Sequence, residues 1–424
     1  MSRTDLHRQL DGLWRIESAK VVAKVAHMTR DVGVAEEIAQ DALLAALETW
    51  PGQGLPDNPG AWLMTTAKHR AIDWLRRQQL HAANETDLSR TLDDQMAAGM
   101  PDVEAWMDDA IGDDLLRLVF TACHPVLSPE ARVALTLRLL GGLTTDEIAR
   151  AFLVPEATLA QRIVRAKRTL GEARVPFEAP RADELAERLD AVLEVVYLIF
   201  NEGYAATAGD DWMRPALCNE ALRLGRMVAE LMPAEPEVHG LVALMEIQAS
   251  RLHARTGPGG EPVLLMDQDR TRWDRLLIRR GLAALARAEG LLAVQDRGHG
   301  PYALQAAIAA CHARAVTPGA TDWSRIVALY DGLLQVMPSP VVALNRAVAV
   351  GQARGPAEAL ALVDGLALEP RFQQYHLLPS VRADLLQRLG RRAEARAAYL
   401  VAADLARNRR EEALLRERAA ACHP

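Results

Sequence analysis

Aromatic residues make up only 4% of the 424-residue chain. No apolar run approaches the ~20 residues that a membrane span needs; the best candidate, 191–200, is interrupted by Glu194. The first twenty residues are peppered with charge and lack the apolar segment of a signal peptide. Cysteine is scarce too: Cys123, Cys218, Cys311 and Cys422 lie far apart with no CxxC, which excludes a disulfide framework and fits a reducing, cytoplasmic setting. No glycine-rich phosphate loop, GxSxG or HExxH is present. Three Cys-His dipeptides (123–124, 311–312, 422–423) are poor metal sites, because adjacent residues rarely chelate one ion and zinc sites use spaced ligands. The expectation is therefore no metal, no cofactor, no catalysis and no membrane.

What is abundant is Ala, Leu and Arg, a composition that favours helices over strands. Half the residues are apolar and a quarter charged, the balance of a globular chain, and the length suits two to four domains. Net charge is −7, but its distribution is uneven. Residues 1–174 hold 20 basic and 25 acidic side chains, and 81–114 alone hold ten acidic and one basic. The remainder of 1–174 is mildly basic, so two basic modules are joined by a strongly acidic tether, expected to be mobile.

The sharpest local signal is residues 142–170, GLTTDEIARAFLVPEATLAQRIVRAKRTL. Thr144 with Glu147 three residues later forms a capping box. A short helix, a break at 153–155 and a second helix to about Leu170 read as a helix-turn-helix. At 100° per residue, Leu159, Ile163, Ala166 and Leu170 form one buried stripe. Thr158, Gln161, Arg162 and Arg165 gather on another face with Arg168 at its edge, and with Lys167 they supply base-edge and phosphate contacts.

Upstream, Asp31 is an N-cap candidate for a helix over 34–50, where VAEEIAQDALLAAL sets Glu37, Asp41 and Glu48 on one face around Leu44. That acidic stripe suits a basic helical partner. PGQGLPDNPG (51–60) reads as a loop, and 61–79 as a second helix containing WLMTTAKHRAIDWLRR. Its bases interleaved with Trp62 and Trp74 suit single-stranded DNA. At least one of those two tryptophans is expected to be buried.

These three motifs, in this order, resemble a bacterial RNA polymerase sigma factor of the extracytoplasmic-function (ECF) group of the sigma-70 family. Further stretches, LIFNEGYAA and LLMDQDRTRWDR among them, resemble the ECF subgroup with a C-terminal tetratricopeptide-like extension. The resemblance implies an all-α chain: region 2 over 1–80, an acidic linker over 81–114, region 4 over 115–175 and a tetratricopeptide-like domain over 184–424. It implies core RNA polymerase and promoter DNA as partners. Glu37, Gln40, Asp41 and Leu44 would bind core polymerase. Asn58, Trp62, Lys68, Arg70, Trp74, Arg76 and Arg77 would capture and melt the −10 element. Thr158, Gln161, Arg162, Arg165, Lys167 and Arg168 would read the −35 element. ECF proteins often carry Asn where this chain has His69 or Arg70.

From 184 onward helix follows helix. RGPAEALALV (354–363) echoes GRRAEARAAY (390–399), with Gly355 and Gly390 35 residues apart, a near-34 period of tetratricopeptide type. Such an array offers a surface for a regulatory protein or small ligand acting on the sigma modules in cis. MDQDR (266–270), with Trp273 and Asp274, is a candidate lining of a ligand pocket or an interdomain contact. The alternative reading is a polymerase-independent helix-turn-helix regulator with a helical sensor domain.

Overall fold

The computed structural model describes residues 3–85, 109–181, 183–206, 211–373 and 375–422. Among them are eighteen α-helices, and no strand beyond an isolated bridge between Thr256 and Pro262. The chain divides into two compact units, 1–196 and 197–424.

Unit 1 is built around α1 (Arg3–Thr29). Six consecutive residues, Val21 to Ala26, are buried, so the middle of this helix is covered all round. It packs on α2 (Val32–Gln53), α3 (Pro59–Glu85) and α4 (Asp109–Ala122). Asp31 caps α2 by accepting hydrogen bonds from the Gly33 and Val34 amides. α2 runs three residues further than the sequence suggests, through Pro51, whose ring forgoes one backbone hydrogen bond to the preceding turn.

α5 (Pro129–Leu139), α6 (Thr145–Phe152) and α7 (Glu156–Glu172) follow. The tether reading needs correction at both ends: 81–85 continue α3 and 109–114 open α4, while 86–108 lie outside the described residues. Asp114, assigned to the tether, is 1% exposed, because Lys24, Arg117 and the His27 ring surround its carboxylate.

α8 (Leu185–Tyr204) crosses the unit boundary. Arg188 donates to the Phe120 carbonyl at 2.8 Å and Glu194 pairs with Arg132 at 3.1 Å, so its first half belongs to the packing of unit 1. Phe177, between the expected region 4 (115–175) and C-terminal domain (184–424), is likewise buried.

Unit 2 continues with α9 (Pro215–Leu231), α10 (Pro236–Ala249), α11 (Arg275–Gln295), α12 (Pro301–Arg314), α13 (Trp323–Val336), α14 (Pro340–Ala353), α15 (Pro356–Leu366), α16 (Leu377–Arg388), α17 (Arg392–Leu405) and α18 (Arg409–Ala421). From α12 onward each helix packs on the next. Gly355 and Gly390, matched by the sequence period, both hold left-handed backbone, φ 109° and 76°, just before α15 and α17. Ala359 and Ala395, the corresponding helix-contact residues, are both fully buried.

Candidate nucleic-acid interface

The helix-turn-helix is built as its sequence dictates. The Thr144 hydroxyl accepts from the Glu147 amide at 3.2 Å, and Glu147 Oε2 accepts from the Thr144 amide at 2.9 Å. Leu153 closes α6 in the left-handed conformation, φ 51°. Leu159, Ile163, Ala166 and Leu170 are all 5% exposed or less. With that stripe anchored, Thr158, Gln161, Arg165 and Arg168 are exposed and Arg162 is half-buried. Thr158, Gln161, Arg162 and Arg165 line a groove of about 360 Å³ between α7 and the start of α5. Among the described residues neither Arg162 nor Arg165 has an ion-pair partner within 4 Å, whereas Arg168 pairs with Glu172 at 3.2 Å. Glu130, at the α5 N-terminus, is held below the usual carboxylate range by its own backbone amide and the Ser128 hydroxyl, with Arg162 nearby.

Lys167 departs from its expected place. It turns from this face to pair with Glu36 on α2. Glu36 is buried, and it also accepts from Arg138 Nε on α5 at 2.5 Å and from Gln40 Nε2 at 2.7 Å. One carboxylate of the region 2 segment thus gathers cations from two helices of the region 4 segment. Lys24 and His27 of α1 meet Asp114 of α4 at 3.5 and 3.1 Å, with Arg117 on the same carboxylate at 2.8 Å. Arg15 pairs with Glu147. Gly142, φ 64°, lies so close to α1 that a Cβ there would come within 2.7 Å of the Ser18 hydroxyl. Burial lowers the pKa of His27 against the opposing pull of Asp114. The two modules expected at either end of a tether pack directly on each other. One signal for this was available: Glu36 sits at helical spacing from buried Val32 and Ala39, a carboxylate inside an apolar stripe.

On α2, Glu37, Asp41, Leu44 and Glu48 are exposed, and Leu44 keeps 56% of its surface. Gln40 is half-buried and held by Glu36. Asp41 is paired with Arg70 of α3 at 3.3 Å, which ties an expected polymerase contact to an expected DNA contact. Asn58 caps α3, accepting from the Ala61 amide at 3.0 Å. Lys68 is half-buried, Arg76 and Arg77 are exposed, and Arg77 Nε donates to the Asp73 carbonyl at 3.3 Å. Neither Trp62 nor Trp74 is buried; both are half-buried. The buried ring is Trp50, 2% exposed, against which Trp62 packs edge-on at 5.4 Å. Trp50 takes the core position, leaving Trp62 with a free face.

Residues 13–81 match sigma-70 region 2 and residues 117–170 match sigma-70, region 4. The ECF RNA polymerase sigma factor SigK of Mycobacterium ulcerans is 31% identical over 153 residues, covering 36% of this chain and 78% of that protein. The chain belongs to the sigma-70 family. As a sigma factor it has core RNA polymerase and promoter DNA as partners in transcription initiation. The probable ECF sigma factor SigI of Mycobacterium tuberculosis is 26% identical over 169 residues, 40% of this sigma factor and 57% of that one. Uncharacterized protein R00370 of Rhizobium meliloti is 44% identical over 392 residues, 91% of this chain and 89% of its own. Residues 188–289 match a family of unknown function, DUF6596. Among the described residues no helix is long and apolar enough to cross a membrane.

Proposed function

We propose that this sigma factor reads the −35 element with Thr158, Gln161, Arg162, Arg165 and Arg168. It engages the −10 element with Asn58, Trp62, Lys68, Arg70, Trp74, Arg76 and Arg77. It docks on core polymerase through Glu37, Gln40, Asp41 and Leu44. The observation that carries the reading is the face of α7: a buried stripe on one side and unpaired arginines lining an open groove on the other. Arg and Gln are the side chains that reach two base-edge atoms at once. The acidic face of α2 carries no base-reading chemistry and suits a basic protein surface instead. Lys167 serves as a clamp to Glu36 in the polymerase-free chain and becomes available to phosphate only when that pair opens.

The C-terminal helices act in cis on the two sigma regions, as a tetratricopeptide-like array. Support comes from the 35-residue spacing of Gly355 and Gly390 and the positive φ that both hold. A cytoplasmic location accompanies this reading.

The test is transcription in vitro with core polymerase on a defined promoter. The full chain should initiate where core alone does not, and Arg162→Ala with Arg165→Ala should lose dependence on the −35 sequence. A chain that binds the promoter and changes transcription without associating with core would establish the polymerase-independent regulator instead. A cut near Pro180 would strip α8 from α4 and α5, so the role of the C-terminal helices is tested by truncation after Tyr204. Equal core affinity and equal transcription by the truncated and full chains would end the cis reading.

A further inference from the structure

Unit 2 buries positive charge that its own acids do not neutralise. Arg251, Arg255 and Arg270, from the segment joining α10 to α11, are each under a tenth exposed. Among the described residues no carboxylate lies within ion-pair distance of any of them. Burying an unpaired charge is costly unless hydrogen bonds or a ligand compensate.

Two of the three are accounted for. Arg255 donates to the Tyr204 carbonyl and lies over the rings of Tyr204 and Trp212, 3.6 and 4.3 Å from their centroids. Arg270 donates to the His312 carbonyl at 2.9 Å, the Ala315 carbonyl at 2.6 Å and the Thr321 hydroxyl at 3.2 Å. The nearby carboxylates serve as caps: Asp269 accepts from the Thr271 amide, and Asp274, beyond the MDQDR segment, caps α11.

Arg251 differs. Its one described hydrogen bond is to the Gln248 side chain, against three for Arg270, and its Nε, like that of Arg270, is buried without a partner. Tyr204 and Trp273 each lie 5.8 Å away, favouring a cation without discharging it. Arg251 lines a cavity of about 270 Å³ together with Gln248, Gln305, His312, Tyr330 and Asn345. His312 Nδ1 is also buried and unbonded. Burial and the adjacent guanidiniums push the His312 pKa down to about 4, so its ring is neutral near pH 7. The remaining lining is largely aliphatic, including Leu244, Ile308 and Val342.

We propose that this cavity binds a small organic carboxylate, with its head group on Arg251 and His312 and its body against the aliphatic wall. The charge count selects the class. One guanidinium without an anion balances one negative charge, while Arg255 and Arg270 are committed to carbonyls and rings. A phosphate dianion would need a second uncommitted cation. The volume is at the small end for ligand pockets, and the pattern of apolar walls with a few convergent polar groups is the usual one. The inference uses unit 2 alone and is independent of the sigma reading.

The experiment is titration calorimetry on the full chain without polymerase. The probes are phenylacetate, hexanoate, neutral phenylacetamide and phenyl phosphate. At least one carboxylate should bind one-to-one and saturably, with phenylacetamide at least about tenfold weaker than phenylacetate. Arg251→Gln should abolish binding. Ala309→Leu, which adds bulk at the lining and leaves Arg251 in place, should abolish it too, with circular dichroism confirming that each variant folds. If Arg251→Gln unfolds, Ala309→Leu carries the test. No saturable carboxylate binding up to about 10 mM overturns the proposal. So does equal binding of phenylacetate and its amide, or binding that survives Ala309→Leu. Tighter binding of phenyl phosphate than of either carboxylate overturns the ligand class.

Discussion

Glu36→Ala should release the region 4 segment from region 2. The Glu36 side chain is 8% exposed and faces Arg138 and Lys167, which keep 19% and 21% of their side-chain surface. Removing one partner of a buried pair costs about 3–5 kcal/mol when the other charge stays buried. Here both cations retain a path to water, so about 2–3 kcal/mol is expected. That is roughly a 30- to 150-fold shift from packed toward separated modules. Within α2 the side chain makes one described bond, from Gln40 at 2.7 Å, so the helix itself should survive. All four native cysteines are buried. Exposed Thr65 and Ala157 can therefore be changed to cysteine and labelled for energy transfer between α3 and α7. The parent should give one short distance, Glu36→Ala a longer and broader distribution, and Glu36→Gln an intermediate one. Glu37→Ala, the exposed neighbour, should change nothing. An unchanged distance in folded Glu36→Ala would refute the reasoning and assign the packing to the Asp114 and Glu147 pairs and apolar contact.

Arg162→Ala and Arg165→Ala should each cost about 1–3 kcal/mol of −35 discrimination, read as transcription from matched and mutated promoters with core binding unchanged; retained preference in both variants defeats the assignment. Asp41→Lys should weaken capture of core polymerase in a pull-down. Its exposed pair with Arg70 contributes little stability, so misfolding cannot be the cause, and full capture would remove α2 as the docking face. The His312 pKa falls from 6.5 to about 4 by burial, so unit 2 should hold this contribution above pH 6.5 and lose it as pH drops toward 4, by about 3 kcal/mol in all. A His312→Gln variant should lose that slope in urea melts between those values, and an identical slope would show that the ring is not responsible.

What the sequence discloses here is local order with a period. The Thr144–Glu147 box and the Leu159, Ile163, Ala166, Leu170 stripe depend on spacing within one helix, and each is found in the structure as spaced. Gly355 and Gly390 are of the same kind. What the sequence hides is pairing across distance. Lys167 reads as one more base on a basic helix until Glu36, 131 residues earlier, is beside it. Asp114 reads as tether because ten acids crowd 81–114; only the fold separates it from the rest by burying it among Lys24, His27 and Arg117. The Arg251 cavity is hidden for the same reason. Its walls come from α8, α10, α12, α13 and α14, whose facing residues carry no shared sequence signal.

The clamp and the reading face lie on opposite sides of one helix. At about 100° per residue, Lys167 is about 200° from Arg165 and about 140° from Arg162. The packed arrangement therefore leaves the proposed −35 face open, and any restraint it imposes is one of distance. A compact unit of 196 residues has a radius of gyration of about 16 Å, hence a breadth of about 40 Å. Two promoter elements about 25 base pairs apart are separated by about 85 Å of duplex. No single compact unit of this size touches both, so the two-element contact proposed above requires region 2 to part from region 4. The ion pairs at Glu36 and Asp114 oppose that step, and contacts with core polymerase must outweigh them. Glu37, Asp41 and Leu44 are exposed while the clamp is closed. If α2 is the docking face proposed above, polymerase meets it first and draws the modules apart afterwards, and two-element binding is then confined to the holoenzyme.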